Sequence, residues 1–144
     1  MEPWELIARE QIRDTVARYN HAGDRGKFDD MVECFTPDGV LVIHDDHEHR
    51  GRDAMLAFFA GVGGSATPGL TQLRHCVTNL VIDLDGPDAA TASAYFQVIT
   101  DLGLDHWGRY RDRLVPHGDR WLLAERRVRT DGYAEGSFFL GALD

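Results

Sequence analysis

Cysteine is scarce in this chain: there are two in 144 residues, Cys34 and Cys76, in unlike contexts. A disulfide framework or a zinc site needs more ligands or tighter spacing, so both read as free, buried thiols in a reducing compartment, and no metal site is expected. Positive charge is also short, with 15 Lys and Arg against 24 Asp and Glu and a net charge of -9. Binding to nucleic acid or to an anionic membrane surface needs clustered cations, so neither partner is expected. No apolar run approaches the roughly 18 residues of a membrane span. The opening Met1-Glu-Pro-Trp-Glu5 is acidic and polar rather than leader-like, and the expected location is the cytoplasm. There is no Gly-x-Ser-x-Gly, and Gly61-Val-Gly-Gly64 follows a predicted helix and lacks the Walker lysine, which leaves nucleophilic and phosphate-cradling chemistry without support.

What is present is an ordinary globular composition, 43% hydrophobic and 27% charged, sufficient for one domain over residues 1–144 with a single core. Helical spacing of Ile12, Val16 and Tyr19 predicts a helix from about Trp4 to Asn20, broken at Gly23 and Gly26. Phe28, Met31, Val32 and Phe35 make one apolar stripe and predict a second helix over 27–35. Thr36-Pro-Asp-Gly39 reads as a turn, Val40 to His44 as a strand, and Asp45 to Arg50 as a loop or hairpin tip. A third helix is predicted over 53–60, followed by a glycine-rich loop over 61–69. Four strands follow, over 72–84, 89–102, 106–115 and 120–133, with short separators that predict an antiparallel meander. Helices first and long strands after is the order of an α+β domain, with helices covering one face of a curved sheet.

Alternation puts Leu122, Ala124, Arg126 and Val128 on one side of the last strand, and Tyr110, Asp112 and Leu114 on one side of the preceding one. A buried Arg126 requires a partner, and Asp112 is the obvious one. On the first long strand His75 and Val77 have one parity and Leu80, Ile82 and Leu84 the other, which a bulge near Thr78-Asn79 reconciles. Trp107, Trp121 and Val115 are placed on the outer side with Arg109 and Arg111, and a homodimer or homotrimer through the sheet is expected. The apolar segment from Gly136 to Leu143 is expected to fold back over a pocket mouth.

Two residues carry the chemical interest. Asp24 lies between the end of the first predicted helix and the start of the second, in Tyr19-Asn-His-Ala-Gly-Asp24, and His75 heads a strand, in Leu73-Arg-His75-Cys-Val-Thr-Asn79. A carboxylate fixes the tautomer of an imidazole and stabilises its protonated form, which makes a general base. His44, His47 and His49 fit no metal-ligand spacing, although His44 ends an apolar strand and is able to face a pocket. His75-Cys76 is no dyad, because successive strand side chains point to opposite faces. The aromatic residues are divided between core and pocket lining, and the pattern leaves open which do which.

The order of these motifs resembles the SnoaL-like family of the NTF2-like superfamily. Carrying the resemblance are Tyr19…Gly-Asp24, Phe28-Asp-Asp-Met-Val-Glu-Cys-Phe35, Pro37-Asp-Gly-Val40, Gly51-Arg-Asp-Ala54, Arg74-His75…Thr78-Asn79, Tyr110-Arg-Asp112-Arg-Leu114 and Trp121…Arg126. The pattern is most similar to scytalone dehydratase and the hexachlorocyclohexane dehydrochlorinase. It departs from the dehydratase at Gly23, where that family has Tyr, and near Tyr110, where it has a pocket Asn. The resemblance implies a cone-shaped, mostly antiparallel curved sheet with three helices over its concave face. It also implies β-elimination or proton transfer without a cofactor on a small, largely apolar substrate, with His75 as base and Asp24 orienting it. Tyr19, Phe28, His44, Phe58, Tyr95, Tyr110 and Arg126 are then the candidate substrate-binding residues. The same fold serves non-catalytic binding domains and the small subunits of ring-hydroxylating dioxygenases, so fold alone decides nothing.

Overall fold

The structure, a computed structural model, describes residues 1–65 and 68–140, with 64 and 65 as backbone only. Helix α1 spans Pro3–Asp24 and begins on a proline, with Glu2 and Glu5 closing a capping box. Its buried face carries Ala8, Ile12, Thr15, Val16, Tyr19, Asn20 and Ala22. The helix runs four residues beyond the predicted end, through Gly23. A Cβ at Gly23 would lie 3.0 Å from Met31 Cε, so the glycine permits the close approach of the next helix. The extension sets Asn20 and Asp24 one turn apart on the same face.

Helix α2 is shorter than predicted, Phe28–Val32, and Phe35 is already the first residue of strand β1, Phe35–Ile43. The predicted turn over 36–39 is absorbed into β1 as an irregularity, where the pairing register shifts between Phe35 and Val40. Strand β2, His47–Arg50, pairs back on β1, and His44 and Asp45 both take left-handed backbone to close the hairpin. Helix α3 spans Arg52–Ser65 and extends into the stretch predicted as a glycine loop, whose residues 66 and 67 lie outside the described residues. Strands β3 (Leu73–Leu84), β4 (Ala90–Thr100), β5 (Gly103–His117) and β6 (Arg120–Tyr133) form the meander.

The six strands make one sheet in the order β2-β1-β6-β5-β4-β3. All neighbours are antiparallel except β1 and β6, so the fold is the α+β curved sheet with three helices expected from the sequence. Strand β4 alternates without a break, burying Ala90, Ala92, Ala94, Phe96, Val98 and Thr100 and turning the residues between them outward. In β3 Asn79 has a left-handed backbone (φ 54°), and the register shifts between Thr78 and Val81, so Leu73, His75 and Val77 share the inner face with Leu80, Ile82 and Leu84. A second shift, between Arg113 and Leu114 against β6, reverses the predicted parity of Trp121 and Leu122. Trp121 is therefore a core residue rather than part of an outer apolar surface, and Thr15 Oγ1 donates to its carbonyl at 2.5 Å. Cys34 is buried and Cys76 is exposed, which corrects the expectation that both thiols are internal; both are free.

Strand β3 is an edge strand, and α1 packs along it. Arg9 Nη1 donates to the Ile82 carbonyl at 2.7 Å, and Asp24 Oδ2 accepts the His75 backbone N–H at 3.0 Å, so the helix grips the strand at two points.

Candidate active site

Asp24 sits at the C-terminal end of α1 and His75 near the start of β3, 51 residues apart, and the docking just described brings them together. Asp24 Oδ1 lies 2.5 Å from His75 Nδ1 while Oδ2 holds the same residue's backbone N–H. A carboxylate only accepts, so Nδ1 carries a proton, and in the neutral ring Nε2 is then the atom with the free lone pair. The His75 side chain is about a quarter exposed and that of Asp24 about a tenth, which leaves the ring open to a ligand and its anchor shielded.

Both residues line a cavity of about 270 Å³ between the helices and the concave face. Tyr19, Phe28, Phe58 and Tyr110, all predicted from the sequence, contribute to its wall, with Met31, Leu41, Ile43, Phe59, Phe96 and Val128 making the rest mostly apolar. Phe139 also lines it, so the segment after β6 does fold back to the cavity; residues 141–144 lie outside the described residues. A larger cleft of about 560 Å³ is lined by Glu10, Gln11, Asp14, Arg18, Asp119 and Arg120, is polar, and includes neither Asp24 nor His75.

Three predicted binding residues do not reach the cavity wall. Tyr95 is 55% exposed, because the strict alternation of β4 turns it to the outer face. His44 sits in the left-handed turn between β1 and β2, where its own backbone N–H bonds the Val128 carbonyl. Arg126 is fully buried below the wall and serves the structure. Its Nε and Nη2 meet the two oxygens of Asp112 at 2.8 and 2.7 Å, the predicted pair, and its guanidinium lies 3.8 Å from the Tyr110 ring centroid and 4.4 Å from that of Tyr19. Burial lowers the Arg126 pKa, but Asp112 more than offsets this and the net shift is upward, so the guanidinium stays charged. Burial also raises both tyrosines, Tyr110 to about 12, so each phenol keeps its proton near neutrality. Tyr110 donates to Asn20 Oδ1 at 3.3 Å.

Two polar wall residues were not foreseen. Asn20 is 5% exposed, and among the described residues its Nδ2 has no hydrogen-bond partner. His106, on β5, is 2% exposed and lines the same cavity, with Nδ1 2.8 Å from Asp105 Oδ1. Neighbours on a strand normally point to opposite faces, and Asp105 escapes that rule because it is the extra residue in a bulge: Val98 pairs with His106 and Ile99 with Leu104. The parity of Tyr110, Asp112 and Leu114, continued backwards through Gly108, was the signal that places His106 on the inner face. Burial pushes the Asp105 carboxyl up, but hydrogen bonds from Ser137, the Phe138 N–H, His106 and Thr100 outweigh it and hold it below the usual carboxylate range. Burial lowers His106 below its ordinary value against the opposing pull of Asp105. Among the described residues no three His, Cys, Asp or Glu side chains are grouped to hold a metal ion.

Residues 4–127 match the SnoaL-like domain. The chain belongs to the SnoaL-like family. Among solved structures this SnoaL-like chain is similar to a protein from Catenulispora acidiphila, at 33% identity over 85% of this chain and 91% of that one, with a TM-score of 0.75. A Catenulispora acidiphila structure at 32% identity, over 85% and 92% of the two chains and with a TM-score of 0.74, was solved in complex with S-DNPA. A Mycobacterium tuberculosis protein of unknown function, Rv3472, is 28% identical over 91% of this chain and 76% of its own, with a TM-score of 0.77. A proposed scytalone dehydratase from Novosphingobium aromaticivorans shares the fold at 19% identity, over 93% and 91% of the two chains, with a TM-score of 0.80. No protein among the curated ones matches the chain.

Proposed function

We propose that this SnoaL-like domain is a lyase or isomerase that needs no cofactor. Its substrate is small and largely apolar, of polyketide, steroid or aromatic type. His75 Nε2 removes a proton from carbon, and Asp24 holds Nδ1 and stabilises the imidazolium as it forms. The observation that carries this reading is the two-point grip of Asp24 on His75, at the ring and at the backbone, beside an apolar cavity. A binding domain has no need of an imidazole held in one tautomer. Apolar walls favour such chemistry because they exclude water and strengthen the interactions around the reacting charge. The complex of a Catenulispora acidiphila relative with S-DNPA is consistent with a ligand-taking domain.

The test uses 5-nitrobenzisoxazole, a small aromatic that opens when a base removes its ring C–H. The C–H electron pair forms the nitrile, the N–O bond breaks, and a coloured nitrophenolate leaves. General-base catalysis contributes about 10²–10⁴-fold, so His75→Gln is expected to lower the rate about 100-fold or more and Asp24→Asn to lose most of that factor. Saturable binding of the probe with no rate dependence on His75 overturns the reading in favour of a binding domain.

A further inference from the structure

The cavity wall is mostly apolar, and one of its few polar groups, the Asn20 amide, has a hydrogen-bond capacity that the fold leaves unused. We infer that Asn20 selects and orients the ligand: its Nδ2 donates to one acceptor oxygen, and the ligand is an apolar skeleton that carries a ketone-type carbonyl. The binding role is independent of chemistry at His75. The orienting role rests on the proposed function, since turning a C–H towards His75 matters only if His75 is the base.

Asn20 lies on the buried face of α1, together with Val16, Tyr19 and Ala22. Asparagine is a poor helix former, and a buried amide costs free energy unless its groups are paired. Oδ1 is paired, since it accepts from the Tyr110 hydroxyl. Nδ2 is buried and has no partner among the described residues. A leucine of similar size packs in such a place without leaving a donor unpaired, so the amide has a use that packing does not supply.

The orientation of the amide is set from below. The Tyr110 ring lies over the Arg126 guanidinium, which both oxygens of Asp112 hold in place. A cation against the ring face draws electron density from the phenol and strengthens its O–H as a donor. The phenol has one hydrogen to give, and Asn20 Oδ1 receives it. Nδ2 is then the end of the amide left for a bound molecule, and linked hydrogen bonds polarise one another, which strengthens it as a donor. An amide nitrogen gives hydrogens and takes none, so the partner must offer a lone pair. A carbonyl oxygen meets that need in full, whereas a hydroxyl adds a hydrogen that needs a second partner. An ionised carboxylate would have to leave water for a cavity that already holds Asp24, and is repelled. Asn20 and Asp24 are one turn apart on α1, so an oxygen held at Nδ2 is on the same side of the cavity as the His75 ring that Asp24 carries.

The test compares two ligands of one shape, 1-tetralone and its 1-methylene analogue, in which =CH2 replaces =O. Calorimetry measures the affinity of each for the wild type, for Tyr110→Phe, and for Tyr110→Phe combined with Asn20→Leu. The double variant removes the donor and also the phenol that would otherwise be freed to replace it. Its affinity for the ketone relative to the hydrocarbon is expected to fall about 10-fold. Tyr110→Phe alone leaves the amide in place but free to turn, and is expected to lower the same ratio by about 3-fold. An equal loss for both ligands is a structural effect, and an unchanged ratio means that Nδ2 is not the donor; either overturns the inference. So does a ratio lost in full in Tyr110→Phe, which makes the phenol the donor. The wild type with excess protein gives a second reading that needs no variant to fold: the infrared carbonyl band of bound 1-tetralone should lie below its position in hexane. A band at the hexane position overturns the inference. Ring opening of 5-nitrobenzisoxazole that is independent of His75 removes the proposed function and leaves the ketone preference standing. Loss of that preference beside ring opening that still depends on His75 does the reverse.

Discussion

Asp24 spends one oxygen on the ring of His75 and the other on its main chain, while Asp112 spends both on Arg126. The second pair is the one whose loss costs most stability, because neither partner reaches water. Removing one member of a buried pair leaves an uncompensated charge, so Asp112→Ala is expected to lower the free energy of unfolding by about 3–5 kcal/mol, measured by urea titration. Replacing both members with apolar residues of similar volume should cost less than that single change. This pair was legible in the sequence, since Asp112 and Arg126 have the inner parity on neighbouring strands and pair directly in the register. Tyr95 was legible too, by the alternation of Ala90, Ala92, Ala94, Phe96 and Val98, and was misplaced only because its aromatic character outweighed its parity. His44 was not, because two left-handed residues in succession leave no mark in the hydrophobic pattern.

Among the elements, β5 shapes the cavity partly by lacking a side chain. Gly108 lies between His106 and Tyr110 on the inner face, and a Cβ there would sit 2.0 Å from the Arg129 carbonyl oxygen and 2.7 Å from Phe96 Cζ. Backbone cannot yield as a side chain does, so Gly108→Ala should force β5 from β6 and cost more than the ~1–3 kcal/mol typical of overpacking, visible as a fall in Tm and loss of the ring-opening reaction. Bulges decide the inner face of three strands. The one at Asn79 was readable because the hydrophobic parity of β3 changes on either side of it. The one at Asp105 was not, because it falls beside a turn where no alternation has yet been set up, and so the carboxylate behind His106 went unseen. The one between Leu123 and Glu125 was hidden by a run of apolar residues, which fits either parity and misplaced Trp121.

The molecule as a whole should be less stable in acid, and the buried groups give the order of loss. Burial is the largest influence on His106 and His49, and it lowers both below the ordinary 6.5. Above that value both states are neutral and pH has no effect through them. As pH falls through 6.5 the unfolded chain takes up protons more readily than the fold does, so stability declines and levels off only below the folded values. Asp105 has the same sign, since its net shift is downward: its contribution is present above about 3.8 and is lost as pH falls through its lower folded value. Tm is therefore expected to fall in two stages between pH 7 and pH 3, with His106→Gln weakening the upper stage; a Tm independent of pH above 5 would contradict this. One further consequence belongs to the grip of α1 on β3. That strand ends the sheet, and the outer row of N–H and C=O groups of an edge strand invites an extended segment of another chain to add on. Arg9 already occupies the carbonyl of Ile82, and Asp24 the amide of His75. The carboxylate that holds the His75 ring is therefore also a guard on the rim of the sheet, and an acceptor at that position has a use that does not depend on any chemistry in the cavity.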